Sequence, residues 1–271
     1  MSGPADWVEM NRANWNARVP IHVDSTWYDI PAFVAGQDTL CDFEPAEVGD
    51  VRGRTLLHLQ CHLGLDSLSW ARRGALVTGL DFSQPALEVA ASVAEQAGAS
   101  SARFVLANVY DAATVLAGQT FDIVYSSIGS LQFLPDLQRW GQVVAQLVAP
   151  GGFCYVVEGH PLVHFVEDDG QTLRGNYFSR DAIVLDETSY ADPNAALASS
   201  ASVEWVHHTA DVVSALGGAG LRVEFLHEHD WTSYRILPVL TKRADGHWGF
   251  PEGQSRIPLR YSLRATKDRK P

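Results

Sequence analysis

One stretch leaves this chain few folds to choose from. It is Thr55-Leu56-Leu57-His58-Leu59-Gln60-Cys61-His62-Leu63-Gly64-Leu65-Asp66, followed by Val77-Thr78-Gly79-Leu80-Asp81-Phe82-Ser83. The first half reads as a buried strand that breaks into a loop at Gly64. A short helix over 67–73 stops at Gly74, and the second half reads as a strand ending in an acid. Strand, glycine loop, helix, strand, acid is the order in which an open α/β sheet holds a nucleotide-type cofactor. The loop lets the ligand approach the backbone, the helix N-terminus faces it, and the acid takes the ribose hydroxyls. Asp81 lies 17 residues after Gly64 (81 − 64), near the roughly 20 expected for a ribose acid.

The surroundings repeat the alternation. Strand-like runs fall at 55–61, 76–81, 102–110, 121–127 and 153–158, with helical patterns at 67–73, 84–96 and 137–148 between them. Ser83 suits a cap, Pro85 a first helical turn and Gly98 a stop. Further on, 209–216 is helical, 221–228 and 257–266 are strand-like, and no helix separates the last two. The expected fold is a doubly wound, mostly parallel seven-stranded sheet with helices on both faces and the last strand antiparallel. Residues 1–50 form an N-terminal helix, expected over 5–18, and an irregular lid segment. Residues 51–271 form the main domain, with a polar insertion at about 162–204.

The 271 residues include 20 basic and 32 acidic ones, a net charge of −12. That balance argues against a nucleic-acid backbone as partner, which needs a basic stripe. The one basic cluster, Lys267-Asp268-Arg269-Lys270, reads as a solvated tail. Cys41, Cys61 and Cys154 give no disulfide framework and suit a reducing compartment. The segment from Met1 to Met10 has no apolar core for a secretion signal, and no apolar run approaches the roughly 20 residues that span a membrane. A cytoplasmic protein without a membrane partner is expected. The sequence leaves its oligomeric state open.

The element order, the loop, Asp81 and the turn Leu147-Val148-Ala149-Pro150-Gly151-Gly152-Phe153 resemble a class I S-adenosylmethionine-dependent methyltransferase. The loop, with Asn11-Arg12-Ala13-Asn14-Trp15-Asn16, is similar to a bacterial subgroup acting on small molecules. The usual family loop opens with an acid and has three glycines. Here His58 stands for the acid, Gln60 and His62 stand for two glycines, and Gly64 is kept. The family's acid near the end of the third strand matches Asn108, whose amide oxygen can still accept from an adenine amine. The resemblance implies S-adenosylmethionine as cofactor. It also implies contacts from Gln60, Cys61, His62, Gly64, Asp66, Asp81, Phe82, Asn108, Val109 and Ser127, with Asp66 or a group from the N-terminal segment able to replace the missing acid.

Trp15 and Tyr28 read as an aromatic lid, since ring faces attract cations such as a sulfonium. Trp7 and Trp27 read as packing residues. For acceptor chemistry the candidates are His160 first, then Glu158 and His208. Glu158 and His160 close the fifth strand, at the sheet edge where ligands bind. They also fit a strand-end acid and a loop histidine meeting water, and His207 with His208 fit a helix cap equally well. His227 and His229 read as exposed strand histidines. His58, Cys61 and His62 invite a metal reading, but His58 and Cys61 would face opposite sides of a strand and no second pair has zinc-like spacing. No metal is expected. The implied function is methyl transfer to a small-molecule nucleophile through N, O or C. A non-catalytic cofactor-binding or regulatory protein and a protein or nucleic-acid methyltransferase are alternatives. A nicotinamide-dependent oxidoreductase would share the fold but should show Gly-x-Gly-x-x-Gly, which is absent.

Overall fold

The computed structural model describes residues 3–269, so Met1 and Lys270 of the segments read above lie outside the described residues. The chain opens with α1 (Trp7–Asp24) and two short helices, α2 (Ile30–Val34) and α3 (Glu44–Val48). Next come β1 (Thr55–Leu59), α4 (Leu65–Arg72), β2 (Leu76–Asp81), α5 (Gln84–Gln96) and β3 (Arg103–Leu106). They are followed by α6 (Ala112–Val115), β4 (Phe121–Ser126), α7 (Leu137–Leu147) and β5 (Val148–Gly159). A hairpin-like pair, β6 (Ile183–Asp186) and β7 (Ala201–Glu204), precedes α8 (Thr209–Gly218) and β8 (Arg222–His229). Three short strands, β9 (Trp231–Thr232), β10 (Thr241–Lys242) and β11 (Trp248–Gly249), lead to β12 (Arg260–Thr266).

Seven strands form the main sheet in the order β3-β2-β1-β4-β5-β12-β8. The pairs among β1 to β5 are parallel, and β12 runs antiparallel to both β5 and β8. This is the expected architecture. The strand order reverses between β1 and β4, and a ligand crevice forms at such a reversal, outside the carboxyl ends of the strands.

The side chains of β1 show how the sheet is covered. Leu57 and Leu59 face α7 and α8, in a core with Trp140, Val144 and Leu216. Leu56 points the other way, against Trp70 of α4 and Val48 of α3. Period-two alternation in a strand buried on both faces produces this split. Each of these leucines contributes about 1.5–3 kcal/mol through burial. Helix α5 begins where its sequence signals place it, with the Ser83 hydroxyl accepting from the Ala86 amide (3.3 Å) and Pro85 in the first turn. Gly152 is held to glycine by space: a Cβ there would lie 2.7 Å from the Asp122 carbonyl oxygen.

Several boundaries differ from the sequence reading. The first helix runs through Pro20 to Asp24 instead of stopping at 18, and 19–50 contains α2 and α3 instead of being irregular throughout. The third strand ends at Leu106, because Asn108 turns the chain into a short 3-10 helix, Val109–Asp111. The fifth ladder begins at Val148, pairs it with Phe121, then shifts register so that Phe153 meets Ile123.

The asparagines of α1 fasten the insertion. Asn11, fully buried, donates from its amide nitrogen to the Val203 carbonyl (2.9 Å) and accepts from the Val203 amide (2.7 Å). Its side chain thus serves β7 as a one-residue neighbouring strand. Asn14 donates to the carbonyls of Ser199 and Ser200. Asn11→Ala should leave both Val203 groups buried and unpaired, at a cost of about 1–3 kcal/mol each. Urea denaturation should show that loss, and native-state hydrogen exchange should show faster exchange at Val203. A stability change within about 0.5 kcal/mol, the usual range for inert surface substitutions, would contradict the strand-mimic role.

Candidate active site

A cavity of about 940 Å³, counting its open mouth, sits at the reversal of strand order. Its floor comes from the loops after β1, β2, β3 and β4, and Trp7, Trp15, Tyr28, Phe133 and Tyr190 wall its upper part. All twelve residues read from the sequence as cofactor neighbours line it: Trp15, Tyr28, Gln60, Cys61, His62, Gly64, Asp66, Asp81, Phe82, Asn108, Val109 and Ser127.

The loop after β1 turns because three alternate residues hold left-handed backbone. Gln60 has φ 56°, His62 φ 47° and Gly64 φ 74°. These are the positions where the resembled family carries glycine. Each non-glycine residue there costs about 1–2 kcal/mol. Asp81 offsets that cost: its Oδ2 accepts from the His62 amide (2.9 Å) and its Oδ1 from the Ser83 amide (2.8 Å). Gln60 adds a tie by donating to the Ser130 carbonyl (2.9 Å), while its own Oε1 is buried without a partner among the described residues. Gly64 is required for a reason other than ligand approach. A Cβ there would meet Ala90 of α5 at 2.9 Å and Phe104 of β3 at 3.0 Å.

Burial raises the Asp81 carboxyl to about 6, against the opposing pull of the Ser83, His62 and Phe82 amides. The two carboxylate oxygens together offer about four lone-pair sites to these three amides, so acceptor capacity remains. At the other end of the loop His58 replaces the family's acid. It lies buried between Ser67 Oγ (2.8 Å) and Ser127 Oγ (3.0 Å), and desolvation lowers it to about 3, so it is a neutral ring. The nearby negative group is Asp66, in the first turn of α4. Its Oδ1 accepts from Thr39 Oγ1 (2.6 Å), and burial raises its carboxyl against the Thr39 and Ser127 hydroxyls. Asn108 Oδ1 accepts from the Tyr110 amide (2.9 Å), which leaves its amide group and second lone pair toward the cavity it lines.

The three residues read as acid–base candidates do not meet at the cavity. Glu158 is buried beneath the loop after β4, where its carboxylate accepts from the amides of Gly129 (2.7 Å), Ser130 (2.8 Å) and Leu131 (2.9 Å). It therefore clasps a loop and is not a partner for His160. His160 turns toward β8, where Nε2 meets Glu228 Oε1 at 2.9 Å. The physical reason is that β12 and β8 flank β5 on that side. His208 is the N-cap of α8, stacked on Tyr177 with centroids 3.8 Å apart and bonded to Arg180.

Of the other expectations, Trp7 lines the cavity besides packing edge-on to Tyr110 and Trp205. Trp27 is half exposed, against Tyr190 and Tyr234. His227 pairs with Glu47 (2.7 Å). Among the described residues no three His, Cys, Asp or Glu side chains gather as a metal site. The sequence reading missed Ile128, Gly129, Ser130, Phe133 and Tyr190. The small residues after β4, Ser126-Ser127-Ile128-Gly129-Ser130, were the available signal for the first three. Nothing in the sequence marks Tyr190.

Comparison with known proteins agrees with this geometry. Residues 56–152 match the family model described as a methyltransferase domain. The ubiquinone biosynthesis O-methyltransferase of Escherichia fergusonii is 38% identical over 104 residues, which cover 38% of this chain and 42% of that protein. Its namesake from Bordetella avium is 29% identical over 161 residues, 54% of this chain and 66% of that one. The chain thus spans less than two thirds of the length of these relatives. An S-adenosylmethionine-dependent methyltransferase from Mesorhizobium loti shares the fold, with a TM-score of 0.59 at 19% identity over 91% of this chain and 99% of that one.

Glu158→Gln tests the clasp. The new amide would place a donor against one of the three backbone donors and lower stability by about 1–3 kcal/mol, read by chemical denaturation. Unchanged stability would mean that Glu158 is free for other work.

Proposed function

We propose that this chain, whose residues 56–152 match a methyltransferase domain, is a class I methyltransferase that transfers a methyl group from S-adenosylmethionine to a small-molecule acceptor. The observation that carries the reading is Asp81: a buried carboxylate at the end of β2, without a counter-charge among the described residues and with acceptor capacity toward the cavity. The residues present fit the cofactor. Asp81 would hold its ribose hydroxyls and Asn108 its adenine amine. Asp66, with Ser127, would hold the ammonium of its methionine end in place of the acid absent at position 58. The orphaned Gln60 Oε1 offers a further acceptor. When bound, the cofactor supplies a methyl carbon already activated by a sulfonium.

The protein's part is alignment and exclusion of water. Trp7, Trp15 and Tyr28 close over the crevice from the N-terminal segment, and Tyr190 closes it from the insertion. The relatives named for ubiquinone biosynthesis support a small-molecule acceptor, and the net charge of −12 favours one over nucleic-acid phosphate. The three cysteines are free and buried, which supports a place in the reducing cytoplasm. Among the described residues no helix is long and apolar enough to cross a membrane.

A metabolite extract incubated with the chain and methyl-labelled donor should yield a labelled small molecule. Absence of label, together with absence of cofactor binding, would sink the reading. Asp81 gives the second test. Ribose hydroxyls donate to the ionised carboxylate, so affinity should be full above about pH 6 and fall up to tenfold per unit below it. The stability of the free protein moves the opposite way. A carboxyl raised from 3.8 to about 6 is most favourable when protonated below 3.8, and that contribution is lost as pH rises through 6. Asp81→Ala should lower affinity about 10- to 100-fold and abolish the acid limb, measured by calorimetry across pH. A wild-type affinity flat from pH 7 to 5 would contradict the assignment.

A further inference from the structure

The side chain at position 62 sits where backbone conformation favours glycine, so the chain tolerates strain to place an imidazole there. His62 Nε2 lies 2.7 Å from Nδ1 of His22, which is fully buried in α1, and His22 Nε2 lies 3.2 Å from Ser189 Oγ of the insertion. When His62 Nε2–H donates to His22, and His22 Nε2–H to Ser189, the remaining Nδ1 of His62 is a bare acceptor. The only side-chain hydrogen bond of His62 among the described residues is the one through Nε2.

The rings around it build one subsite. Trp15 is 5.0 Å from His62 and 5.3 Å from Phe133, Tyr28 is 5.5 Å from His62, and the Tyr28 and Tyr190 hydroxyls bond to each other. Behind this wall the Arg18 guanidinium lies 5.8 Å from the Trp15 ring and 5.6 Å from the Tyr190 ring, with no carboxylate in ion-pair range among the described residues. A positive charge there disfavours a cationic acceptor and favours an oxygen gaining negative charge.

We propose that His62, positioned by His22, takes the proton of an uncharged aromatic hydroxyl acceptor seated among Trp15, Tyr28, Phe133 and Tyr190. This rests on the methyl-transfer reading above. The acceptor oxygen forms a bond to the methyl carbon as the carbon–sulfur bond breaks. The bonding pair leaves with sulfur, and the hydroxyl proton passes to His62 Nδ1. The sulfonium charge disappears and one positive charge arrives on the imidazole, to be released to solvent.

The groups facing His62 suit a base that starts neutral. They are His22 and Arg18 from α1, Tyr28 after it, Tyr190 from the insertion, Cys61 beside it, and Asp81, which holds its amide. Burial, then His22 and Arg18, hold the ring well below the ordinary imidazole range. It is therefore unprotonated throughout the physiological range.

His62→Gly is the test variant, since glycine relieves the left-handed strain and is compatible with a loop of this kind. The probes are catechol and 4-nitrophenol at pH 8, where the second is already ionised and needs no base. Turnover of catechol should fall roughly 100- to 10,000-fold. With S-adenosylmethionine held saturating, turnover of 4-nitrophenol should fall less than about tenfold. His22→Phe should shift the pH profile of catechol turnover while KM holds. Equal losses on the two phenols at saturating cofactor, or unimpaired catechol turnover, would each overturn the base role. So would failure of the wild-type chain to methylate either phenol while it labels other metabolites, which would leave the methyl-transfer reading standing. Failure to bind cofactor or label anything would remove that reading as well.

Discussion

The contact between the Asp81 carboxylate and the His62 amide sets the shape of everything around the cavity. Two strands of a parallel sheet end side by side, and the loop leaving one would be free to swing. A buried carboxylate at the end of the other catches it at 2.9 Å. With the loop fixed, α4 starts at Leu65 and Asp66 enters the cavity wall. The same carboxylate holds Ser83, whose hydroxyl caps α5 and bonds Asn16 of α1 (2.7 Å). One charge thus couples the loop, two helix starts and the N-terminal cover. Its burial without a counter-ion is costly by itself, which fits a group kept for a ligand rather than for stability.

Two features set this loop apart from a glycine-rich one. Left-handed backbone is imposed on Gln60 and His62, and both side chains are then used. Gln60 ties the loop to Ser130, and His62 ties it to His22. The acid at the head of the usual loop is exchanged for a neutral histidine held between two serines, and a carboxylate reappears eight positions on (66 − 58), at Asp66. On the proposed reading the acid of the site is moved and not lost. The N-terminal helix, the insertion and the sheet are then linked through buried polar side chains, chiefly Asn11, Asn14 and His22.

The sheet and the floor of the site were legible because local signals and tertiary structure agree there. Ser83 and Pro85 start α5 where the sequence says, Gly64 falls at the start of α4 in the loop after β1, and Asp81 ends β2; the apolar runs of both strands are unmistakable. The walls were harder to read. Pro20 argues locally for a helix stop, yet α1 continues past it because its faces are held against β7 and α5. Tyr190 reaches the cavity from a polar insertion with no periodicity to announce it. His160 and Glu158 looked like a pair because both close β5. Which way a strand-end side chain turns depends on neighbours far along the chain, here Glu228 on β8 and the amides after β4.

A crystal structure of the chain with S-adenosylhomocysteine would test the central claim most directly. The account predicts the ligand at the reversal of strand order, its ribose hydroxyls on Asp81, its adenine beside Asn108 and its ammonium near Asp66 and Ser127. A ligand bound elsewhere, or a ribose with no contact to Asp81, would contradict it.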